Sequence, residues 1–595
     1  MTERHSYDVV VVGAGGAGLR AAIAAHDAGA RTAIVCKSLL GKAHTVMAEG
    51  GIAAAMGNLY PEDNWKVHFR DTMRGGKMLN NWRMAQLHAQ EAPDRVLELE
   101  EWGALFDRTE DGLISQRDFG GHRYARLAHV GDRTGLEMIR TLQQRAVALG
   151  IDVFMECTIT EILKDGDRVA GAFGYWRESG RFIVFEAPSI VLATGGIGKS
   201  FKVTSNSWEY TGDGHALALR AGASLINMEF VQFHPTGMVW PLSVRGLLVT
   251  ESVRGDGGVL RNSEGRRFMF DYIPEYFKAE TAETEEEADA WYTDKRNNRR
   301  PPELLPRDEV ARAINAEIKA GRGSPHGGVY LDIASRRDPE FIKRRLPSMY
   351  HQFKELAGVD ITKEPMEIAP TCHYVMGGVE VDPDSAASSV EGLYAAGEVA
   401  GGMHGSNRLG GNSLSDLLVF GRRAGLNAAY HAAKVKGSRP KVNEAAVQAA
   451  ADTALAPFNE EGGESPYDVQ KDLQEVMHSL VGIIRTGEEL ERALVELERL
   501  AERAKKVSIE GNRQYNPGWH LALDLRNMLL VSECIARAAL TRTESRGGHT
   551  RDDYPMSDPE WGKKNIVLRQ RDGRIELAIQ PLPEMPEELR ALLED

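Results

Sequence analysis

The hydrophobic pattern at the start of the chain predicts a β-α-β unit. Residues 7–12, YDVVVV, form a short apolar run rich in β-branched residues, which is typical of a strand buried on both faces. Residues 19–30, LRAAIAAHDAGA, are rich in alanine and predict a helix that ends at Gly29. A second apolar run at residues 31–36, RTAIVC, predicts the next strand.

Two apolar runs much later in the chain predict further strands. Residues 189–194, SIVLAT, are followed by Gly195 and Gly196, and residues 392–397 read GLYAAG. A domain built on these strands is therefore interrupted and resumed, with the residues from about 240 to 365 inserted between its two parts.

The remaining patterns predict helices and loops. Residues from about 440 to 545 lack strand patterns and are typical of amphipathic helices, as in 487–507, where apolar residues recur every three or four positions. Residues 280–303 are acidic first, then basic, then contain Pro-Pro, which predicts a solvated excursion or a partner-facing loop. The tail from about 546 has clusters of Pro and Asp and is predicted to be rich in loops.

Composition and charge narrow the class of protein. The chain has 595 residues, 42% of them hydrophobic, and 61 glycines, as expected for a soluble globular enzyme. Its formal charge of -14 argues against nucleic-acid binding, because phosphate binding needs basic surface. We find no run of about 18 apolar residues and no basic-then-apolar leader, so neither a membrane span nor a secretory signal is predicted.

The cysteines form no recognisable ligand set. Cys36, Cys157, Cys372 and Cys534 lie far apart and include no C-x-x-C pair, so we expect no metal or iron–sulfur cluster in this chain, and a reducing compartment. If electrons leave this protein, a partner takes them.

A glycine motif joins the first predicted strand to the first predicted helix. GAGGAG contains G-x-G-x-x-G, in which the first glycine makes the turn, the second lets a pyrophosphate approach, and the third permits close helix–strand packing. This context predicts dinucleotide binding by residues Gly13, Ala14, Gly15, Gly16, Ala17 and Gly18.

The dinucleotide is predicted to be FAD. The acid that binds the NAD ribose at the end of the second strand is absent, and Cys36 is followed there by Lys37 and Ser38, which we place near the adenosine half. Asp213 lies in a T-G-D-G turn before a helix, and Glu398 follows the late strand in AAGEVAGG, as in two-part FAD folds.

Ten motifs in one order resemble a known family. In chain order they are GAGGAG, HTVMAEGG, TGDGHALA, FHPTG, VTESVRGDGG, PRDEVAR, HYVMGG, GEVAGG, NRLGGNSL and ESRGGHTRDDYP. This order is similar to that of the flavoprotein subunit of succinate dehydrogenase and fumarate reductase, the respiratory complex II family. The resemblance covers nearly the whole chain, except the acidic insertion and about the last thirty residues.

The patterns and the resemblance together predict an α/β fold. A Rossmann-like FAD-binding domain in two parts, 1–240 and 366–435, is interrupted by an α+β capping domain, 241–365. A helical domain, 436–545, and a loop-rich C-terminal domain, 546–595, follow.

The resemblance implies that FAD is attached covalently through His44. An imidazole nitrogen can bond the flavin 8α carbon, and this link should raise the flavin potential, which the oxidation of a weak reductant such as succinate requires. Lys42 and Ala43 stand before it where the family often has Arg-Ser. The further cofactor-binding residues that the resemblance implies are Thr45, Glu49, Gly50, Gly51, Ser413 and Leu414.

The resemblance also implies a site for a substrate with two carboxylates, which needs cationic or hydrogen-bonding groups at both ends. The implied carboxylate-binding residues are His234, Thr250, His373 and Arg408, with Phe119 packed over the substrate. Arg307 is the implied acid or base. Since arginine rarely loses its proton, this role requires a relay, which Glu251 and Arg254 would supply.

The implied reaction is hydride transfer between a succinate methylene and flavin N5, with proton transfer at the adjacent carbon through Arg307. The resemblance implies that the electrons then pass to a separate iron–sulfur subunit, and from it to membrane anchor subunits that bind a quinone. The family places the flavoprotein, as a peripheral protein, on the cytoplasmic face of the inner membrane in bacteria.

Three alternatives are kept beside this interpretation. L-aspartate oxidase shares many motifs but lacks a histidine at the position of His44. Arg307, His373 and Arg408 argue against a non-catalytic flavin-binding scaffold. A soluble fumarate reductase usually carries haem motifs or binds flavin noncovalently, and no C-x-x-C-H is present.

Glu49 occurs where many dehydrogenases have glutamine and slightly favours reductase-like chemistry, although the quinone potential decides the direction.

Overall fold

The computed structural model describes residues 2–594. Its central sheet has five strands, and every neighbouring pair is parallel. The order across the sheet is Leu393–Ala395, Ser189–Leu192, Val9–Val12, Thr32–Val35 and Asp152–Phe154. Four of these strands lie in the apolar runs that predicted them, and the late strand pairs with Ser189–Leu192, so the interrupted sheet is confirmed.

Two helices pack tightly on one another beside this sheet. The predicted first helix spans Gly16–Asp27, and the long helix Asn412–Lys434 lies against it. At Gly425 a Cβ atom would stand 2.0 Å from the carbonyl oxygen of Ala21, so only glycine permits this approach. The late part of the chain therefore completes the first domain.

Further elements surround this core. A second sheet has the strand order Glu3–Ser6, Phe182–Glu186, Arg168–Trp176 and Cys157–Asp165. Three short strands form a third sheet, in the order Ile52–Ala53, Leu127–Ala128 and Gln116–Arg117. The other helices of this part are Trp65–Gly75, Trp82–Glu101, Thr134–Ala148 and Asp213–Ala221.

The capping region has its own antiparallel sheet and apolar core. The strand order is Val231–Met238, Met366–Val375, Val329–Asp332 and Val259–Arg261. Its helices are Ser252–Gly255, Glu285–Trp291, Arg307–Glu317, Pro339–Arg345 and Pro347–Ala357. The first and second of these strands lead into and out of the region, and they bring its helices over the edge of the central sheet.

The acidic insertion is more ordered than its composition predicts. The expectation of a solvated excursion at 280–303 holds for residues 283–286 and 293–297, which are exposed, but the segment also contains the helix Glu285–Trp291 and packs on the capping region. Ala282, Trp291 and Glu303 are buried. Some of its charged side chains have buried partners, and this accounts for the difference, because a sequence does not show such pairs.

The last third of the chain is mainly helical, as predicted, with one addition. The helices are Glu444–Asn459, Pro466–Leu480, Gly487–Ala504 and Pro517–Thr541. The prediction of no strand in this region is wrong at Ile484–Arg485, which pairs in parallel with Thr550–Arg551. Such a two-residue strand has no periodicity that a sequence pattern can reveal.

The tail is also more regular than predicted. Lys564–Arg571 and Arg574–Pro581 form a hairpin that joins the sheet of Leu225–Ile226 and Gly378–Val379, and the helix Glu587–Glu594 follows. The expectation of a loop-rich tail is therefore wrong for these residues. Within residues 2–594, no helix combines the length and the apolar character needed to cross a membrane.

Candidate active site

A large cavity opens at the carboxyl ends of the central parallel strands, where ligands bind in open α/β sheets. With its open mouth it comprises about 1640 Å³, and its lining runs from the glycine loop at Gly13–Ala17 to Arg307 and Arg408. Of the residues that the sequence marks, Gly18 and Arg254 lie behind the lining, and the others line the cavity.

The glycine loop presents an open helix N-terminus to the cavity. Helix Gly16–Asp27 has no side-chain cap and no acidic residue in its first turn, so its positive end is available to an anion. The N–H of Gly16 donates to Thr45 Oγ1 at 3.1 Å, which ties the loop to the following segment. At Gly18 a Cβ atom would stand 1.9 Å from the oxygen of Gly13. This cradle fits the pyrophosphate of FAD.

Lys37 lines the cavity near its adenosine end but is not free. Its Nζ lies 3.0 Å from Asp213 Oδ2 and 2.7 Å from Asp524 Oδ1, and it also donates to Thr211. Burial alone would lower the pKa of Lys37, but the two carboxylates raise it. Asp524 comes from helix Pro517–Thr541, so the helical region supplies part of this end of the cavity.

His44 is a partly buried, neutral imidazole at the start of the short turn His44–Met47. Burial, with the charges of Lys199 and Arg408, lowers its pKa to about 4. The backbone N–H of Ser207 donates to Nδ1 at 3.3 Å, and the ring of Tyr210 lies 4.7 Å from the imidazole. Since Nδ1 accepts this bond, the neutral ring carries its proton on Nε2, which lies 3.5 Å from the amide nitrogen of Asn206.

Two carboxyl groups line the cavity with raised pKa values. Glu49 is buried, its Oε2 has no hydrogen-bond partner among the described residues, and burial together with Asp132 raises its pKa well above the ordinary value. Burial also raises the pKa of Glu398 to about 8, although its Oε1 accepts the N–H of Val375 at 3.1 Å. Burial therefore favours the protonated form of both carboxyl groups, which can donate a hydrogen bond to a ligand.

The residues expected to form the relay lie in contact as a buried chain of charges. Arg307 Nε donates to Glu251 Oε2 at 2.8 Å, and Arg254 Nη2 lies 4.0 Å from the same oxygen. The N–H of Gly120 donates to Glu251 Oε1 at 2.6 Å. Burial alone would raise the pKa of Glu251, but Arg307 and Arg254 lower it, so this carboxylate stays ionised.

A second guanidinium lies close to the first. Gln232 Oε1 accepts from Arg408 Nη2 at 3.1 Å and from Arg307 Nη1 at 3.4 Å, so one amide oxygen lies between two cations. Arg408 also donates to Ser413 and lies 4.3 Å from the ring centroid of Tyr374. Burial and the charge of Arg307 lower the pKa of Arg408 to about 9. Such a pair of cations fits a dianion.

Two histidines complete this side of the cavity. The rings of His234 and His373 meet edge to face at 5.1 Å. His373 Nδ1 bonds the hydroxyl of Ser205 at 2.7 Å, whereas His234 Nε2 is buried without a partner among the described residues. Burial and the neighbouring arginines lower the pKa of both rings, so both are neutral donors for a carboxylate. Thr250 and Phe119 also line the cavity here.

Sequence reasoning missed several residues of the site. Gln232 lies two positions before His234 in the strand Val231–Met238, and the two-residue period of a strand was the signal that could have found it. Tyr210 and Tyr374 also line the cavity, and the available signal was their place beside marked residues, since Tyr374 lies in HYVMGG and Tyr210 directly precedes TGDGHALA. Among the described residues, no three His, Cys, Asp or Glu side chains are grouped so as to hold a metal ion.

Comparisons with known proteins agree with this geometry. Residues 8–414 match the model of an FAD binding domain, and residues 470–589 match a fumarate reductase flavoprotein C-terminal region. The chain is 44% identical to a fumarate reductase (CoM/CoB) subunit of Methanothermobacter marburgensis, over 96% of this chain and 98% of that protein.

Solved structures are similar over nearly the whole length. Sdh1 of Mycobacterium smegmatis, solved in complex with UQ1, is 65% identical with a TM-score of 0.85, and the match covers 98% of this chain and 95% of that chain. A mutant FrdA of E. coli quinol fumarate reductase is 35% identical with a TM-score of 0.89, and the match covers 98% of both chains. The predicted α/β fold class is confirmed, and the chain is a flavoprotein oxidoreductase that belongs to the family of succinate dehydrogenase and fumarate reductase flavoprotein subunits.

Proposed function

We propose that this chain interconverts succinate and fumarate. The observation that carries the proposal is the pair Arg307 and Arg408, both bonded to Gln232 and both lining the cavity that fits FAD. Two buried cations that share one amide oxygen, with neutral His234 and His373 beside them, would bind a substrate with a carboxylate at each end.

The residues divide the work between binding and proton transfer. Arg408, His234, His373 and Thr250 hold the carboxylates, and Phe119 excludes water from above. Arg307 receives or delivers the proton at the substrate carbon. Glu251 accepts the hydrogen bond from Arg307 Nε, so its carboxylate holds the guanidinium in place and balances the positive charge of Arg307. Arg254 continues this chain away from the cavity.

Bound FAD accepts or supplies the hydride, and we propose that the chain holds it covalently through His44. The imidazole is neutral and partly buried, and its Nδ1 accepts from Ser207, so we assign Nε2 as the attachment nitrogen, which loses its proton when the bond forms. The glycine loop would hold the pyrophosphate, and the protonated carboxyls of Glu49 and Glu398 would donate hydrogen bonds to the cofactor.

We further infer that the electrons pass to an iron–sulfur subunit, then through membrane anchor subunits to or from a quinone. The Methanothermobacter relative is by name one part of a larger enzyme, and the Mycobacterium structure holds UQ1, which supports this assignment. The protein would then be peripheral, on the cytoplasmic face of a bacterial inner membrane. Glu49 slightly favours fumarate reduction, and the quinone potential sets the net direction.

Denaturing electrophoresis in acid tests the covalent link. We expect flavin fluorescence to follow the polypeptide and to be lost in His44→Ala, because no other group bonds the cofactor. Free flavin in the wild type, or fluorescence that persists in the variant, contradicts the link.

Turnover with an artificial acceptor tests the reaction. We expect succinate-dependent reduction of the acceptor, and no activity with L-aspartate, whereas oxidation of L-aspartate would favour the aspartate-oxidase alternative. In Arg307→Ala we expect the activity to fall at least about a hundredfold, because removing a proton-transfer group typically costs 10²–10⁴-fold. Retention of most of the activity would remove Arg307 from its central role.

A further inference from the structure

The acidic insertion contacts the active site through one loop. Lys295 forms an ion pair with Oδ2 of Asp118, and Arg300 Nη2 lies 3.4 Å from Oδ1 of the same carboxylate. Arg300 Nη1 also donates to the carbonyl oxygen of Phe119 at 3.0 Å. We call Asp118, Lys295 and Arg300 the insertion clasp. It joins the capping region to the loop at residues 118–120.

This loop carries two groups of the proposed site. The ring of Phe119 is 2% exposed and lies so close to Gly50 and Gly410 that a Cβ atom at either position would stand 2.2 or 2.4 Å from it. The next residue, Gly120, donates its N–H to Glu251, which in turn accepts from Arg307. A shift of the loop therefore moves the aromatic wall and the carboxylate of the relay together.

The insertion is itself braced, so that it can hold the loop in place. Trp291 is buried, and its ring lies 4.8 Å from Lys295 Nζ and 5.6 Å from the guanidinium carbon of Arg300. Arg299 bonds Glu287 within the insertion at 2.7 Å. The charged ends of Lys295 and Arg300 thus contact Trp291 within the insertion as well as Asp118.

The carboxylate of the clasp is better shielded from water than its two cations. The side chain of Asp118 is 6% exposed, that of Arg300 is 17% exposed and that of Lys295 is 34% exposed. An ion pair with a buried carboxylate is screened less by salt than a surface pair, and losing its partner leaves an uncompensated charge. Asp118 therefore depends on the insertion for its charge balance.

We propose that Arg300 and Lys295 are positioning residues for catalysis, which act through Asp118 to hold Phe119 over the substrate and Glu251 against Arg307. The inference rests on the proposed function, since it assigns a role toward the same site. Neither cation lines the substrate cavity, so their effect on the reaction is indirect.

Arg300→Ala and Asp118→Asn in the flavin-loaded protein test the proposal, with Arg296→Ala as the matched control. Arg296 is an exposed neighbour of Lys295 without a hydrogen bond or an ion pair among the described residues. We expect kcat/KM for succinate to fall about tenfold or more in both clasp variants and to stay unchanged in the control, because a displacement of about 1 Å can cost up to 10²-fold. The proposal is overturned if kcat/KM for succinate in Arg300→Ala and Asp118→Asn equals that of the Arg296→Ala control and of the wild type.

The pH profile separates positioning from a loss of folding. Without the bond from Gly120 the pKa of Glu251 rises, so the acid limb of kcat/KM should move to higher pH in Arg300→Ala and remain in place in the control. Arg300→Lys, which keeps the charge, should restore part of kcat/KM. If Arg300→Ala does not fold, the same comparison is made with Arg300→Lys and Asp118→Asn. An unmoved acid limb in folded clasp variants contradicts the proposal.

Different results would contradict the proposed activity and the proposed role of the insertion clasp. If the wild-type protein does not turn over succinate or fumarate, the proposed function is wrong. If the wild type is active and binding of succinate, followed by the flavin absorption spectrum, has the same Kd in wild type and Arg300→Ala with an unchanged kcat, only the role of the clasp is wrong.

Discussion

Replacing Glu251 by glutamine separates the charge of the relay from its shape. The variant Glu251→Gln keeps the size of the side chain and an oxygen that can accept the N–H of Gly120 or Arg307. It removes the negative charge that lies between Arg307 and Arg254, 2.8 Å from the first and 4.0 Å from the second. The guanidinium groups of Arg307 and Arg254 then lose the negative charge that lies between them.

The size of the effect follows from burial. Glu251 is 1% exposed, and both arginines are buried, so water cannot replace the lost carboxylate. Breaking a buried ion pair by removing one partner costs about 3–5 kcal/mol. If most of this cost falls on the transition state, in which Arg307 exchanges a proton, kcat falls by roughly 10²–10³-fold, because each 1.36 kcal/mol is a factor of ten.

The assay is steady-state succinate oxidation with an artificial acceptor, at matched flavin content. We expect kcat to fall far more than the Kd for succinate rises, since Glu251 contacts Arg307 and not the carboxylate-binding side chains. Thermal unfolding shows whether the variant is folded. A folded, flavin-loaded variant that keeps more than about a third of the wild-type kcat would refute the relay, because that loss is under 1 kcal/mol.

Two further changes test the cavity. In Gln232→Ala we expect a rise in KM of about tenfold with unchanged flavin content, because Arg307 and Arg408 lose the amide oxygen they share, and a charged hydrogen bond contributes about 1.5–3 kcal/mol; an unchanged KM contradicts this role. In Glu49→Gln we expect the unfolding temperature, relative to wild type, to rise as the pH increases above the ordinary pKa range of a glutamate. The folded pKa of Glu49 is raised, so its protonated form contributes stability that is complete below the unfolded pKa and is lost at higher pH. A difference that is independent of pH would show that Glu49 is ionised in the folded protein.

The sequence predicted the parts of the fold that leave a periodic pattern. Val9–Val12 and Thr32–Val35 are continuous apolar runs, and their burial in a parallel sheet follows from that pattern. The insertion at 280–303 carries no such pattern. Its charges were assigned to solvent because a sequence does not show which charges find buried partners, as Glu303 does with Arg267.

The candidate site divides in the same way. Glycines with a steric role and residues in recognisable motifs, such as Gly18 and Arg307, were found from the sequence, and their catalytic or binding roles stay predictions. Gln232 and Asp118 were missed, because their importance lies in contacts between segments that are far apart in the chain. Motifs mark the groups that act on a ligand, whereas the side chains that aim those groups become visible only in three dimensions.

The ion pair between Lys37 and Asp524 has a consequence for the order of biosynthesis. Lys37 is translated early, but its partner comes from helix Pro517–Thr541, and the central sheet also needs the strand Leu393–Ala395. A ribosome-bound chain that ends before these segments has the glycine loop without the rest of the cavity. We therefore expect flavin loading to follow the synthesis of nearly the whole polypeptide, and a fragment that ends before Leu393 to bind no flavin.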